Sequence, residues 1–130
     1  EDCISSLVYD RHLWPDEYLK HLMKVIGAIG EHGRAIIVGR GANFVIPPEN
    51  CFRLRIVAPQ NVRIANVVRT FDVTAEDAKR RIIRTESDRR AFVRKYFNAD
   101  IADPVNYDFV INTGALEIDK AVDAVIATLG

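Results

Sequence analysis

The apolar positions of this chain change their spacing several times, which predicts helices and strands in alternation. Trp14-Pro15 suits the start of a helix, and apolar residues then recur at helical spacing until Gly33. These residues are Leu19, Leu22, Met23, Ile26 and Ile29. The run 35–38, AIIV, is continuous and apolar, which is typical of a strand buried on both faces.

Two later apolar runs, 52–57 and 107–111, predict two more strands, and the segment 117–129 predicts a closing amphipathic helix. Helical patterns separate the three runs, and such alternation favours parallel strands. We therefore expect an α/β fold in which a parallel three-stranded sheet is flanked by helices.

Two helices are predicted between the second and third strands. The first opens at Pro59 and ends near Arg69 or Phe71. The second begins at Thr74, where Thr-Ala-Glu-Asp resembles a capping box, and reaches about Phe97. A polar loop, NADIADPVN, then leads to the third strand.

The composition fits a single soluble domain. The 130 residues include 18 Lys plus Arg and 18 Asp plus Glu, so the net charge is zero and any basic site is a local arrangement. Two cysteines, Cys3 and Cys51, are too few for a disulfide framework, which favours a cytoplasmic location. No apolar run approaches the roughly 20 residues that span a membrane. The three histidines lack metal-ligand spacing, so no metal site is predicted.

The first candidate site is Gly39-Arg40-Gly41, which follows the predicted strand 35–38. Glycines allow a sharp turn and a close approach of a ligand, and a guanidinium offers a planar fork for phosphate. Ligands of open α/β sheets bind at the carboxyl ends of strands, so we expect Arg40 to face an anion. The alternative is a tight turn with a solvated arginine. A dinucleotide fingerprint fits poorly, because Phe44 occupies the position of its third glycine.

The second candidate site is the segment 79–95 of the long helix, whose net charge is 8 − 2 = +6. Its cations are Lys79, Arg80, Arg81, Arg84, Arg89, Arg90, Arg94 and Lys95, and its acids are Glu86 and Asp88. Arg90 and Arg94 share a face, and Asp88 lies one turn after Arg84, where it can orient that guanidinium. Clustered arginines suit phosphoryl transfer, which depends on neutralising phosphate charge. The alternatives are a solvated helix face and, with less support, nucleic-acid binding, since the nearby aromatic residues fit the core better.

The motifs GRGAN, the helix from TAEDA to KYF, and NYDFVINTG carry a family resemblance that runs from about residue 18 to the end. They resemble the C-terminal two thirds of the bacterial cytidylate kinase-like family, which belongs to the P-loop nucleoside monophosphate kinases. This resemblance implies an incomplete P-loop kinase fold with a core over 14–70 and 105–130 and a lid over about 72–103. It also implies ATP and Mg²⁺ as cofactors and a CMP-like nucleoside monophosphate as the acceptor.

The same resemblance implies roles for individual residues. The acceptor nucleotide would contact Arg40, together with Gly39 and Gly41. The lid that closes over the phosphates would contribute the catalytic residues Arg84, Asp88, Arg90 and Arg94. The base of ATP would lie near Arg69, Asn112 and Thr113.

The chain departs from the family in one motif. It contains no G-x-x-x-x-G-K-[ST] sequence and no Gly-Lys pair, so the backbone amides that cradle donor phosphates are missing. We therefore expect it to be the acceptor-site and lid portion of such a kinase, inactive as this chain. The alternative is a non-catalytic nucleotide- or anion-binding or assembly module. An acidic start without Met favours a fragment, and a sheet edge left open by the missing strand favours self-association.

Overall fold

A computed structural model describes residues 15–129 of the chain. Predictions that concern Cys3, His12 and Trp14 lie outside these residues. The chain divides into two compact units, of which the first ends at Cys51 and the second begins at Phe52. We describe each unit by itself.

The first unit is built on helix α1, Pro15–His32. Leu22 and Ile26, one turn apart, are fully buried. Gly33 ends the helix in the left-handed conformation, with φ of 74°, and its N–H donates to the carbonyl four residues earlier at 3.0 Å. The predicted end of this helix is therefore confirmed. A short helix, α2 (Ala42–Val45), packs against α1.

The run 35–38 is not a strand in the structure, so this part of the fold prediction is wrong. Ile36 is 94% exposed and Val38 is 85% exposed, although the pattern of the run is typical of burial. A strand needs a neighbour that satisfies its backbone N–H and C=O groups. Among the described residues no strand pairs with this run, and it stays irregular.

The second unit contains a parallel sheet of two strands, β1 (Leu54–Val57) and β2 (Phe109–Asn112). Leu54 pairs with Phe109 and Val57 pairs with Asn112, so the two strands end at the same level. The predicted class, parallel strands flanked by helices, is confirmed. Within residues 15–129, however, the sheet has two strands and not three, because the run 35–38 does not join it. Self-association through an open sheet edge stays a prediction.

Three helices accompany this sheet: α3 (Gln60–Phe71), α4 (Ala75–Phe97) and α5 (Ile118–Leu129). Their predicted positions are confirmed to within about two residues. The hydroxyl of Thr74 caps α4 by accepting the N–H of Asp77 at 3.1 Å. A three-residue connection joins α3 to α4, and the two helices pack against each other as a hairpin. No helix in this part of the chain is both long and apolar enough to cross a membrane.

Arg53 and Asp108 fasten the start of β1 to the start of β2. The backbone N–H of Arg53 donates to Oδ2 of Asp108 at 2.7 Å, and its Nε and Nη2 donate to Oδ2 and Oδ1 at 3.2 and 3.0 Å. In return, the N–H of Asp108 donates to the carbonyl of Arg53 at 2.8 Å. The hydrogen bonds from the guanidinium, followed by the one from the backbone, lower the pKa of Asp108 from its ordinary value of 3.8.

At the other end of the sheet, the turn 112–114 lies against Pro59. The N–H of Thr113 donates to the carbonyl of Val57 at 2.9 Å. A Cβ atom on Gly114 would come within 2.4 Å of Cδ of Pro59, so glycine allows the close approach. The carboxyl ends of both strands therefore adjoin the first turn of α3.

We predict that Asp108→Asn destabilises the protein more at about pH 7 than at about pH 2. Asparagine keeps an oxygen that accepts the Arg53 N–H but loses the charge that the guanidinium binds. Because the pKa of Asp108 is lower in the folded chain, the stabilisation is complete above the unfolded pKa and is lost as the pH falls through the folded pKa. Urea unfolding of both proteins at the two pH values measures the difference. An equal difference at both pH values would contradict the prediction.

Candidate functional site

The segment Gly39-Arg40-Gly41 forms a tight left-handed turn. Its three residues have φ of 72°, 60° and 69°. The carbonyls of Gly39 and Gly41 accept the N–H groups of Ala42 and Phe44 at 3.2 and 2.8 Å. Glycine adopts this conformation freely, whereas Arg40 is held in a region that non-glycine residues seldom occupy. The turn presents an exposed arginine.

The surroundings of this turn differ from those that the sequence predicts. Since the run 35–38 is irregular, Arg40 does not follow the carboxyl end of a strand in the structure. The glycines on both sides of this exposed arginine are the observation that still favours a functional role, because they let a ligand approach the backbone closely. Contact between Arg40 and an acceptor nucleotide stays a prediction.

Helix α4 carries a shallow depression between side chains on its outward face; it is open to solvent and lined by this helix alone, and we call it the groove. The residues that line it are Arg80, Ile83, Arg84, Ser87 and Asp88. These positions are three or four apart and therefore form one stripe on a helix. The groove combines two guanidinium groups, a hydroxyl and a half-exposed isoleucine, and so offers several hydrogen-bond donors to an anion.

Arg84 and Asp88, both predicted from the sequence, line this groove together. No ion pair joins them in the described part of the chain. The Nη2 of Arg80, in contrast, lies 3.6 Å from Oδ1 of Asp77. Arg84 is thus the groove arginine that has no carboxylate partner among these residues, and its guanidinium is available to a ligand.

Arg90 and Arg94 lie beyond the C-terminal end of this groove. Both residues are exposed, and four positions on a helix correspond to a rotation of about 40°, so they share a face as predicted. They are not part of the groove lining. The structure therefore brings Arg84 and Asp88 together and leaves Arg90 and Arg94 as a second basic pair farther along α4.

The inward face of α4 packs against α3. Ala78 and Ile82 are buried there. Glu86 forms an ion pair with Arg63 of α3, and the two side chains are 41% and 34% exposed. Glu86, one of the two acids of the basic segment, therefore points away from the groove, and its charge is neutralised by Arg63.

The aromatic residues at the end of α4 pack on one another. Phe92, Tyr96 and Phe97 are all partly buried, and the Phe92 ring meets the other two edge to face at centroid distances of 5.0 and 6.0 Å. The packing of these rings against the core stays a prediction.

Arg69, Asn112 and Thr113 are not brought together in the structure. Asn112 and Thr113 lie at the carboxyl end of β2, beside the first turn of α3. Arg69 lies in the last turn of α3, about 15 Å along the helix axis from Pro59. Its Nη2 donates to Oδ1 of Asn66 at 2.9 Å. A shared role at one base stays a prediction.

The side chains of residues 15–129 suit phosphate better than they suit a metal ion. No three His, Cys, Asp or Glu side chains gather there in positions that could hold a metal. Mg²⁺ prefers carboxylate oxygens, waters and substrate phosphates. The groove of α4 offers one carboxylate, from Asp88, among cations. These residues therefore offer hydrogen-bond donors to a phosphate, but they do not supply a ligand set for Mg²⁺.

The sequence pattern did not predict two residues that line the groove, Ile83 and Ser87. It also did not predict the ion pair between Arg63 and Glu86. The two groove residues lie within one turn of Arg84, so helical spacing alone indicates them. The ion pair between Arg63 and Glu86 joins two helices. The sequence indicates this pair only through spacing: both residues lie two to three helical turns from the connection between α3 and α4, so they come level when the two helices pack side by side.

Comparison with known proteins gives a family and a fold. The model of a family described as the cytidylate kinase-like family matches residues 1–115. A crystal structure of an uncharacterized protein from Eubacterium ventriosum is similar in fold, with a TM-score of 0.75 and 18% sequence identity. The similarity covers 98% of this chain and 80% of that one. No curated protein matches the sequence.

We predict that Arg84→Gln weakens binding of pyrophosphate by about tenfold, since a charge-assisted hydrogen bond is lost. Isothermal titration calorimetry at low ionic strength measures this affinity. The matched control is Arg89→Gln, which removes the same charge from the same helix. Arg89 is exposed, does not line the groove, and lies about 140° around the helix from Arg84. Equal losses in the two variants would show that net charge alone, and not the groove, binds the anion.

Proposed function

Because the chain belongs to the cytidylate kinase-like family, we propose that it forms the acceptor-site and lid portion of a nucleotide phosphotransferase. The proposed donor is ATP, and the proposed acceptor is a CMP-like nucleoside monophosphate. The described residues supply no ligand set for Mg²⁺, so no step through the metal is proposed. The groove of α4 carries this proposal, because Arg84 lies there beside a second arginine and has no carboxylate partner among the described residues. Arginine without an internal partner is suited to binding phosphate oxygens.

The proposed lid spans about residues 72–103 and includes all of α4. Its arginines, Arg84, Arg90 and Arg94, stabilise the negative charge that a phosphoryl group carries during transfer. Asp88 lines the groove one turn after Arg84; no ion pair joins the two side chains among the described residues, and the proposal is that Asp88 orients the guanidinium when a phosphate binds. Arg69, Asn112 and Thr113 contact the base of the donor.

The proposed acceptor contact is Arg40, which belongs to the first unit. Two facts support this contact. Arg40 is exposed, and it lies between two glycines in a left-handed turn in which its own φ is 60°. Glycines on both sides let a ligand approach the backbone closely. The guanidinium then binds the phosphate of the nucleoside monophosphate with a pair of parallel hydrogen bonds.

A second candidate function is a nucleotide- or anion-binding module without catalysis. Two observations favour it. The chain contains no Gly-Lys pair, and residues 15–129 contain no group of three His, Cys, Asp or Glu side chains that could hold a metal ion. In that case the basic groove of α4 binds the phosphates of a nucleotide without transferring them.

We predict that the chain binds ATP or CMP in calorimetry and transfers no phosphate from ATP to CMP by itself. Binding depends on guanidinium groups that the chain supplies, whereas transfer also requires the donor-phosphate loop that this sequence lacks. Formation of CDP, followed by chromatography, tests transfer. Transfer by the chain alone would overturn the expectation of inactivity, and failure to bind either nucleotide would overturn both candidate functions.

We predict that Arg40→Gly weakens CMP binding about tenfold, since it removes one charge-assisted contact to phosphate. Glycine is chosen because it adopts the left-handed backbone without strain. The matched control is Arg34→Gly, because Arg34 is also exposed and has a positive φ, of 52°. Unchanged CMP affinity in Arg40→Gly, measured by calorimetry, would remove Arg40 from the acceptor site.

A further inference from the structure

Arg63 of α3 makes two polar contacts that no proposed role has yet used. Its Nε donates to the carbonyl of Ala58 at 2.9 Å, and its Nη1 forms the ion pair with Oε1 of Glu86. Ala58 is the residue that follows β1, and Glu86 lies near the middle of α4. A single side chain therefore joins the end of the sheet to the long basic helix.

The rigidity of the guanidinium gives this contact a geometric consequence. Its N–H groups lie in one plane at fixed angles, so two partners bound to the same group are fixed relative to each other. Glu86 lies two residues after Arg84 and two residues before Asp88, which both line the groove. Fixing Glu86 against α3 therefore fixes the direction in which the groove faces.

The apolar contacts between the two helices set this direction only coarsely. Ala78 and Ile82 are buried on the inward face of α4, so a rotation of the helix by one residue, about 100°, would uncover them, whereas smaller rotations keep them covered. Because both side chains of the ion pair are more than a third exposed, its value to overall stability is small. Its effect lies in orientation.

We propose that Arg63 is a positioning residue, which holds α4 through Glu86 in the rotation that turns the basic groove outward. This inference rests on the proposed function, in which the groove binds the phosphates of a nucleotide. It assigns to Arg63 no contact with the ligand itself.

The sharpest test is Glu86→Gln, because a purely electrostatic effect and a positioning effect change the affinity for pyrophosphate in opposite directions. Removal of an acid near a cationic groove strengthens anion binding if charge alone matters. If Glu86 positions the helix, the same change weakens pyrophosphate binding by about threefold to tenfold. The matched control is Glu76→Gln, which removes an exposed acid from the same helix and leaves the ion pair intact.

Arg63→Gln, Arg63→Lys and the double variant Arg63→Gln/Glu86→Gln complete the set. We expect Arg63→Gln to weaken pyrophosphate binding, Arg63→Lys to restore part of it through the charge, and the double variant to bind no more weakly than the weaker single variant. Hydrogen exchange of the α4 amides, measured without ligand, should accelerate about threefold to tenfold in both single Gln variants. Pyrophosphate binding by Glu86→Gln that equals or exceeds that of the unmodified chain would overturn the proposal.

The two readouts separate this proposal from the function on which it rests. If the unmodified chain binds no pyrophosphate, the proposed function fails, and hydrogen exchange alone decides the role of Arg63. Unchanged exchange of the α4 amides in Arg63→Gln would then overturn the positioning role. If the unmodified chain binds and only the variants lose affinity, both proposals are supported.

Discussion

The pairing of Arg53 with Asp108 is the interaction on which the second unit depends. These residues are 55 positions apart, and three hydrogen bonds from Arg53 to one carboxylate join them at the start of the two strands. The clamp sets the register in which Val57 and Asn112 end together. Because the strands end at one level, the turn 112–114 meets Pro59. The first turn of α3 therefore lies at the carboxyl ends of both strands.

A second set of contacts connects the first turn of α3 to the groove of α4. The Nε of Arg63 donates a hydrogen bond to the carbonyl of Ala58, the residue directly after β1. The same guanidinium forms an ion pair with Glu86 of α4. The direction of the outward face of α4 is thus connected to the sheet through one guanidinium. The two arginines use the same side-chain chemistry for different roles. Arg53 joins the starts of the two strands, and Arg63 orients α4. Both roles use the planar fork of arginine, which the single ammonium of lysine cannot reproduce.

Local signals in the sequence predicted the helices well, and non-local contacts explain what it did not predict. Gly33 and Thr74 mark helix ends through their own backbone and side-chain chemistry, so their effect can be inferred from neighbours in sequence. The run 35–38 has the composition of a strand, but a strand forms only beside a partner, and residues 15–129 supply none. The ion pair between Arg63 and Glu86 could be inferred only after the two helices were known to form a hairpin. In the candidate site, helical spacing was enough to join Arg84 to Asp88, whereas the position of Arg69 relative to β2 depends on the sheet.

The charge balance of the chain limits how its basic helix can act on a ligand. The whole sequence is neutral, so the +6 of segment 79–95 is offset by a net charge of −6 on the other residues. At physiological ionic strength, exposed charges are screened beyond about 8 Å. An anion therefore experiences the arginines of α4 only when it is close to them, and long-range attraction contributes little. Affinity must come from close hydrogen bonds in the groove, for which the rotation of α4 matters more than the number of its charges.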